Sequence, residues 1–206
     1  MWTRAELKNR SKLVMKRNYW NMFAVTLIAG AITFFMTSTF EVSEHEVGRR
    51  VALYGFISLL VKIFLLNPLE CGKANFFLKN IEENQGISEL FYFFQHDYTN
   101  VVTILFIRDV KIALWTLLLV IPGIVKTYEY RMIPYLLAEN SSLTSQEVFA
   151  MTKEVTAGNK FNIFVLDLSF IGWYLLGGIL VIGILFVYPY YESTCAELYA
   201  ELRLYQ

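Results

Sequence analysis

The residues of this sequence that could do chemistry are charged side chains set within long hydrophobic stretches. Lys62 stands close to the middle of one apolar run, and Asp167 lies near the start of another. Arg108, Asp109 and Lys111 interrupt a third. A charged side chain at the centre of a membrane span costs about 2.5–3.5 kcal/mol, so such residues usually face a bundle interior or water. We therefore take these five residues as a candidate polar intramembrane cluster.

The spacing of these residues suggests what the cluster binds. Arg108 and Lys111 are three residues apart and so share one helix face, which Asp167 could oppose. We expect this arrangement to bind an anionic group such as a lipid phosphate. The alternative is that the two cations extend to the cytoplasmic interface, while Asp167 caps a helix or forms a structural pair.

The sequence patterns typical of enzymes are missing. Of the two histidines, His45 sits in an acidic loop and His96 precedes Asp97. There is no His-Glu-x-x-His motif, paired-cysteine spacing, nucleophile elbow or Gly-rich phosphate loop. Cys71 and Cys195 are far apart in sequence, and we expect both to be free. The prediction is a non-enzymatic protein with no catalytic residues, no metal and no cofactor.

Composition indicates the environment that surrounds these charges. The chain has 206 residues, of which 56% are hydrophobic and 17% are charged, whereas soluble domains carry about 25% charged residues. Residues 18–40 and 168–191 contain no charged side chain, and about 20 apolar residues suffice to cross a bilayer as a helix. We predict one all-α, polytopic membrane domain over residues 1–206. It would have about 4 to 5 transmembrane helices, some of them broken, plus an N-terminal amphipathic surface helix.

Residues 1–17 are predicted to form that basic amphipathic helix. Its cations recur every four residues and so form one stripe, made of Arg4, Lys8, Lys12 and Lys16. The apolar side chains on the opposite half are Trp2, Leu7, Leu13 and Val14. Either the helix binds anionic headgroups, or its charges only set the topology. Both alternatives place the N-terminus in the cytoplasm, because Lys and Arg beside a span tend to remain inside.

The membrane segments follow along the chain. Residues 18–40 form the first span, and residues 51–69 form the second, which Asn67-Pro68 breaks or ends. Residues 70–98 are more polar and are predicted to form a cytoplasmic or interfacial segment that lies against the bilayer. Residues 161–190 form the last span.

The region 101–138 permits two models. One is a single tilted span around 104–125, and the other is a helical hairpin that turns at the candidate helix break, Pro122-Gly123. The two models differ in the number of membrane crossings. A short amphipathic helix at 139–160 therefore lies outside in the first model and inside in the second. We prefer the hairpin.

Several segments together resemble a bacterial membrane-protein family known as domain of unknown function 975. The most specific is Trp115-x-Leu117-Leu118-x-x-Ile121-Pro122-Gly123-Ile124-x-Lys126. The others, in order, are Arg4-x-x-Leu7-Lys8, Asn18-Tyr19-Trp20, Tyr128-x-Tyr130-x-Met132-x-x-Tyr135, Thr152 with Gly158-x-Lys160, Ser169-Phe170-Ile171-Gly172-Trp173, Pro189-Tyr190 and Tyr199. The resemblance implies a multi-pass plasma-membrane protein of a Gram-positive bacterium. It implies no reaction and no catalytic residues.

The function predicted from these features is binding. The expected ligands are membrane lipids, including anionic ones, or a peptide or membrane-protein partner. The alternative is a small transporter or lipid flippase that uses the intramembrane charges, and a lipid-modifying enzyme ranks third. We expect no nucleic-acid binding. The oligomeric state and the side of the C-terminus stay open.

Overall fold

The protein is described by a computed structural model over residues 2–38, 49–179 and 183–204. The structure is 88% helical, with no strand in the described residues, which confirms the all-α prediction. Three helices in these ranges are long and apolar enough to cross a membrane, namely Arg4–Ser38, Leu53–Glu82 and Lys160–Gly178. The chain is therefore an all-α protein with the helices of a membrane protein.

The helices alternate with short connections. In chain order they are α1 (Arg4–Ser38), α2 (Arg49–Val61), a π-helical turn (Lys62–Leu66), α3 (Asn67–Glu82), a 3-10 helix (Ile87–Phe94), α4 (Tyr98–Leu118), α5 (Val120–Glu129), α6 (Ile133–Glu139), α7 (Ser145–Val155), α8 (Lys160–Ile179) and α9 (Gly183–Leu204).

The first helix, α1, is kinked at Asn18, where φ is −138° and ψ is 41°. The Asn18 side-chain amide donates to the Oδ1 atom of Asn80 at 2.6 Å and to the carbonyl oxygen of Gln85 at 3.0 Å. These bonds tie the kink to the end of α3. The kink therefore separates the basic N-terminal part of α1 from its apolar part.

The N-terminal part of α1 is not a free surface helix. Its side chains Leu7 and Val14 are buried, and α1 packs most extensively against α9. Arg10 donates to the carboxylate of Glu201 at 2.6 Å and approaches Glu197 at 3.3 Å. The predicted amphipathic surface helix thus does not leave these two apolar side chains free, because other helices of the same chain cover them.

Asn67-Pro68 does not end the second span. The helix continues from Leu53 to Glu82, because the π-helical turn Lys62–Leu66 precedes the proline. Proline disturbs the normal hydrogen bond to the carbonyl four residues back, and a π turn lets the backbone reach five residues back instead. Accordingly, the Asn67 N–H donates to the Lys62 carbonyl.

The segment 70–98, predicted as a cytoplasmic or interfacial segment, contributes to the centre of the fold. Phe76 and Phe77 of α3 are buried in the hydrophobic core. A Cβ on Gly72 would lie 1.8 Å from the carbonyl oxygen of Leu90, so only glycine allows the 3-10 helix to approach so closely. The polar composition of this segment gave no sign of this burial, which depends on packing against other helices.

The region 101–138 contains a helical hairpin, but its break lies at Leu119, where the backbone is extended. Pro122 falls in the first turn of α5, where its missing N–H does not interrupt the helix. Gly123 permits the close contact between the two helices, since a Cβ there would lie 2.3 Å from Oγ1 of Thr116. The predicted turn at Pro122-Gly123 is therefore displaced by three residues.

The predicted single span 161–190 is wrong, because α8 and α9 run antiparallel. Gly177 of α8 touches Gly183 of α9, and a Cβ on either would lie within 3.0 Å of the other's backbone. Further from the reversal, the rings of Phe170 and Tyr191 are 5.2 Å apart. An uncharged run gives no information about chain direction, so hydropathy alone could not show the reversal.

The segment 139–160 contains α7. Thr144 caps this helix through a capping box with Glu147, and Gly158, with φ of +70°, adopts the left-handed conformation beyond its end. This arrangement connects α6 to α8 with few residues.

Large apolar side chains remain exposed near the chain reversals. Leu117 is 88% exposed and Ile121 is 76% exposed beside the turn at Leu119, while Phe34 is exposed towards the end of α1 and Leu175 towards the end of α8. Exposed apolar surface of this extent marks contact with a membrane or with partners. The core, in contrast, lies around α3, α6 and the C-terminal half of α9.

Candidate ligand-binding site

Three of the predicted charged residues lie together. Arg108 donates to both carboxylate oxygens of Glu70, at 2.7 and 2.8 Å, and its Nε and Nη2 donate to Asp109 at 3.0 and 2.9 Å. The other oxygen of Asp109 lies 3.3 Å from the Lys62 ammonium and accepts from the Asn67 amide at 3.2 Å. Lys62, Arg108 and Asp109 are thus brought together, with Glu70 as a member that sequence reasoning missed.

Asp167 does not oppose the cations of α4, contrary to the prediction. Its carboxylate accepts from Arg131 at 2.7 Å and from the Tyr191 hydroxyl at 3.1 Å. The Lys111 ammonium instead lies 3.4 Å from the ring centroid of Phe149, a cation–π contact. The reason is topological: after the hairpin, α5 is the helix that packs beside α8.

Lys73 connects these two groups of charges. Its ammonium donates to Glu192 of α9 at 2.6 Å. Glu70 lies one turn before it on α3, and Arg131 lies across a cavity of about 150 Å³ that all four side chains help to line. The two polar sites are therefore joined through the helix bundle.

We call this set the charge network. It consists of the cations Lys62, Lys73, Arg108 and Arg131 and the carboxylates Glu70, Asp109, Asp167 and Glu192, each within 3.3 Å of an opposite charge. An unpaired charge inside a bundle is strongly unfavourable, whereas a paired one with good hydrogen bonds is tolerated. The equal number of cations and carboxylates explains how the bundle accommodates so many charges.

An apolar groove adjoins the network. It lies between α1 and the start of α9, has a volume of about 650 Å³, and is lined mainly by apolar and hydroxyl side chains. Phe34 and Leu185 form part of its rim and are exposed. Among the described residues that line it, Lys73 is the one charged side chain. We call this the α1/α9 groove.

A second cavity, of about 380 Å³, adjoins the groove. It shares Ala29, Thr33, Thr37 and Lys73 with the groove and adds Lys62 and Glu70 from the charge network. Binding pockets for small molecules usually enclose about 300–1,000 Å³. Lys73 thus borders the groove, the cavity of about 380 Å³ and the cavity of about 150 Å³.

The described residues provide no reactive nucleophile of the usual kinds at this site. Arg131 donates to the Cys195 sulfur at 3.1 Å, but burial raises the pKa of the Cys195 thiol to about 11. The thiol is therefore protonated at neutral pH. His96 stacks on the ring of Tyr92 at 4.3 Å, while His45 lies outside the described residues. No group of three potential metal ligands occurs in the described ranges.

Sequence reasoning missed Glu70, Lys73 and Glu192. Glu70 and Lys73 are three residues apart, the spacing that places two side chains on one helix face. That signal was present, but the expected helix end at Asn67-Pro68 concealed it. Glu192 carried no comparable signal, because its partner is distant in sequence.

The fold and the charge network define a helical membrane protein with a polar interior. More particularly, residues 110–205 match the model of the family described as protein of unknown function, DUF975. This match confirms the resemblance over the part of the chain that carries the Pro122-Gly123 segment, Arg131, Asp167 and Glu192. No curated protein and no solved structure matches the chain.

Proposed function

We propose that the protein binds a membrane amphiphile in the α1/α9 groove and does not turn it over. The observation that carries this proposal is the combination of an apolar groove of about 650 Å³ with a single charged side chain, Lys73, among its described lining residues. An amphiphile has the same two parts, an apolar chain and a polar head. The chain would lie along the groove, and the head would reach the charge network.

The rim of the groove supports access from the lipid phase. Phe34 is 67% exposed, and Leu185 and Tyr188 are also exposed. The α1 side of the groove belongs to a helix that is long and apolar enough to span a bilayer. An acyl chain could therefore enter sideways without crossing water.

We further propose that the protein resides in the plasma membrane of a Gram-positive bacterium, with its N-terminus in the cytoplasm. The basic N-terminal part of α1 supports that orientation. The hydrogen bond from Arg10 to Glu201 joins this part to the C-terminal helix, so the C-terminus would lie on the same side. A peptide or membrane-protein partner stays a prediction, which native mass spectrometry of the protein purified in mild detergent would test.

The binding proposal is tested by lipid retention. Gly30 lines the groove, and a Cβ there meets nothing within 4 Å, so Gly30→Leu should obstruct part of the groove without a clash at its Cβ. Gly55 has equally open space on α2, away from the groove, which makes Gly55→Leu the matched control. Native mass spectrometry after purification in mild detergent should show retained lipid in the parent protein and in Gly55→Leu, and clearly less in Gly30→Leu. Equal retention in all three would overturn the proposal.

A second candidate is movement of the same amphiphile across the bilayer. The π-helical turn Lys62–Leu66 favours it, since π turns are frequent at functional sites and both Lys62 and Leu66 line the cavity of about 380 Å³ beside the groove. A translocation assay with a fluorescent lipid in proteoliposomes separates the candidates. Transport above that of protein-free vesicles, abolished by Gly30→Leu, would favour movement over binding alone.

A further inference from the structure

We infer that the amphiphile is anionic and that its headgroup competes with Glu192 for Lys73. This inference rests on the proposed function and specifies the chemistry of its ligand. The shared chemistry is an oxyanion, either phosphate or carboxylate, attached to an apolar chain. Lys73 is the residue at which the apolar groove meets the charge network.

The charge of the lining favours an anion over a cation. The groove's described lining contains one cation and no carboxylate. The adjoining cavity of about 380 Å³ adds Lys62 and Glu70. Both carboxylate oxygens of Glu70, however, already accept hydrogen bonds from Arg108. A cationic head would therefore meet Lys73 without an available carboxylate in the groove, whereas an anionic head would meet a complementary charge.

Lys73 is the network cation that lines the groove, and it is better able to change partners than Arg108 or Arg131. Arg108 is fixed by a bidentate pair with Glu70, and Arg131 is fixed by Asp167. Among the described residues, Lys73 has one hydrogen-bonded partner, Glu192, although an ammonium group has three donors. Its side chain is 26% exposed, against 10% for Arg108. Donors therefore remain for an oxygen of the headgroup.

The network offers a new partner for Glu192 when a headgroup binds. Glu192 and Arg131 line the same inner cavity of about 150 Å³. If the Glu192 carboxylate turns away from Lys73, it stays beside a second cation. The negative charge of the headgroup and that of Glu192 would otherwise repel each other at one ammonium group, so Glu192 weakens binding of the anion.

The experiment compares two amphiphiles with the same acyl chain, lysophosphatidylglycerol and lysophosphatidylcholine, titrated against the full-length protein in mild detergent. Both carry a phosphate, but the choline cation of the second would lie near Lys73 with no carboxylate in the described lining of the groove. The parent protein should therefore bind the anionic one at least about tenfold more tightly. Lys73→Gln should remove that preference while retaining binding of both. Glu192→Gln should tighten binding of the anionic amphiphile by several-fold, because it removes the competing charge. Lys79→Gln, on the same helix but paired with Glu89 away from the groove, is the control and should change neither affinity.

Lys73→Gln should weaken binding of the anionic amphiphile, whereas Glu192→Gln should tighten it. These opposite changes distinguish recognition of the headgroup from a purely structural role of the ion pair, since loss of a structural ion pair would weaken binding in both variants. A preference that survives in Lys73→Gln, or weaker binding in Glu192→Gln, would overturn the inference.

Glycerol phosphate and inorganic phosphate test the source of the oxyanion, and binding as tight as that of the lysolipid would contradict an amphiphile. Should the parent protein bind both lysolipids equally and Gly30→Leu weaken both, the inference fails and the proposed function stands. If neither lysolipid binds, the proposed function itself fails.

Discussion

Removal of Arg108 should destabilise the fold through the carboxylate that it leaves behind. In Arg108→Met, the aliphatic part of the side chain is retained, while both hydrogen bonds to Glu70 are lost. Asp109 keeps a partner in Lys62 at 3.3 Å. Glu70 loses its principal partner, so it accounts for most of the effect.

The magnitude follows from the exposure of the two partners. Removal of one partner of a fully buried ion pair costs about 3–5 kcal/mol. Arg108 is only 10% exposed, but Glu70 is 40% exposed, and water can partly solvate its carboxylate. We therefore expect a loss of about 2–3 kcal/mol in the free energy of unfolding. Arg108→Lys should lose part of this amount, because an ammonium cannot form the bidentate pair.

A double-mutant cycle measures this effect directly. The free energies of unfolding of Arg108→Met, Glu70→Met and the double variant would be obtained from denaturant titrations in mixed micelles, followed by tryptophan fluorescence. The double variant should lose less than Arg108→Met alone, because no unpaired charge remains. A loss below about 0.5 kcal/mol in Arg108→Met, the range of an exposed pair, would refute the reasoning.

Three further predictions concern the hairpin of α4 and α5, the cap of α7 and the thiol of Cys195. Gly123→Ala should lower the free energy of unfolding by about 1–3 kcal/mol through overpacking against Thr116; Gly172→Ala, with open space around its Cβ, is the control, and equal losses in the two variants would contradict the hairpin packing. Thr144→Ala removes the cap of α7 and should cost about 1 kcal/mol in the same titration, whereas no loss would show that the cap does not stabilise the helix. Burial raises the pKa of Cys195 to about 11, so its alkylation in the native protein should be slow at pH 8 and accelerate as the pH rises towards 11. Rapid alkylation of the Cys195 peptide at pH 8 would contradict this.

The sequence was sufficient for the class of the protein but not for the direction of its helices. Uncharged runs and a basic N-terminus were enough to predict membrane helices, because that prediction depends on composition alone. The reversal between α8 and α9 was missed, since hydropathy is identical for a continuous helix and for two packed ones. Gly177 and Gly183 were visible, but their mutual contact depends on tertiary structure.

The candidate site was predicted in part for a similar reason. Lys62, Arg108 and Asp109 stood out as charges in apolar surroundings, and the structure brings them together. Asp167 was assigned to the wrong partners, because pairing between distant helices depends on the order in which they pack. Lys73 lay in a segment that reads as polar, and its position beside a groove could not be inferred without the path of α1 and α9.

The central claim is that an amphiphile occupies the α1/α9 groove, and photocrosslinking tests it most directly. A lysophosphatidylglycerol with a diazirine on its acyl chain would be bound to the full-length protein, irradiated, and its adducts mapped by mass spectrometry. The account predicts adducts concentrated in residues 26–35 and 184–188, which contain the apolar lining of the groove. Adducts that instead follow exposure, and so concentrate at Leu117, Ile121 and Phe161, would contradict it.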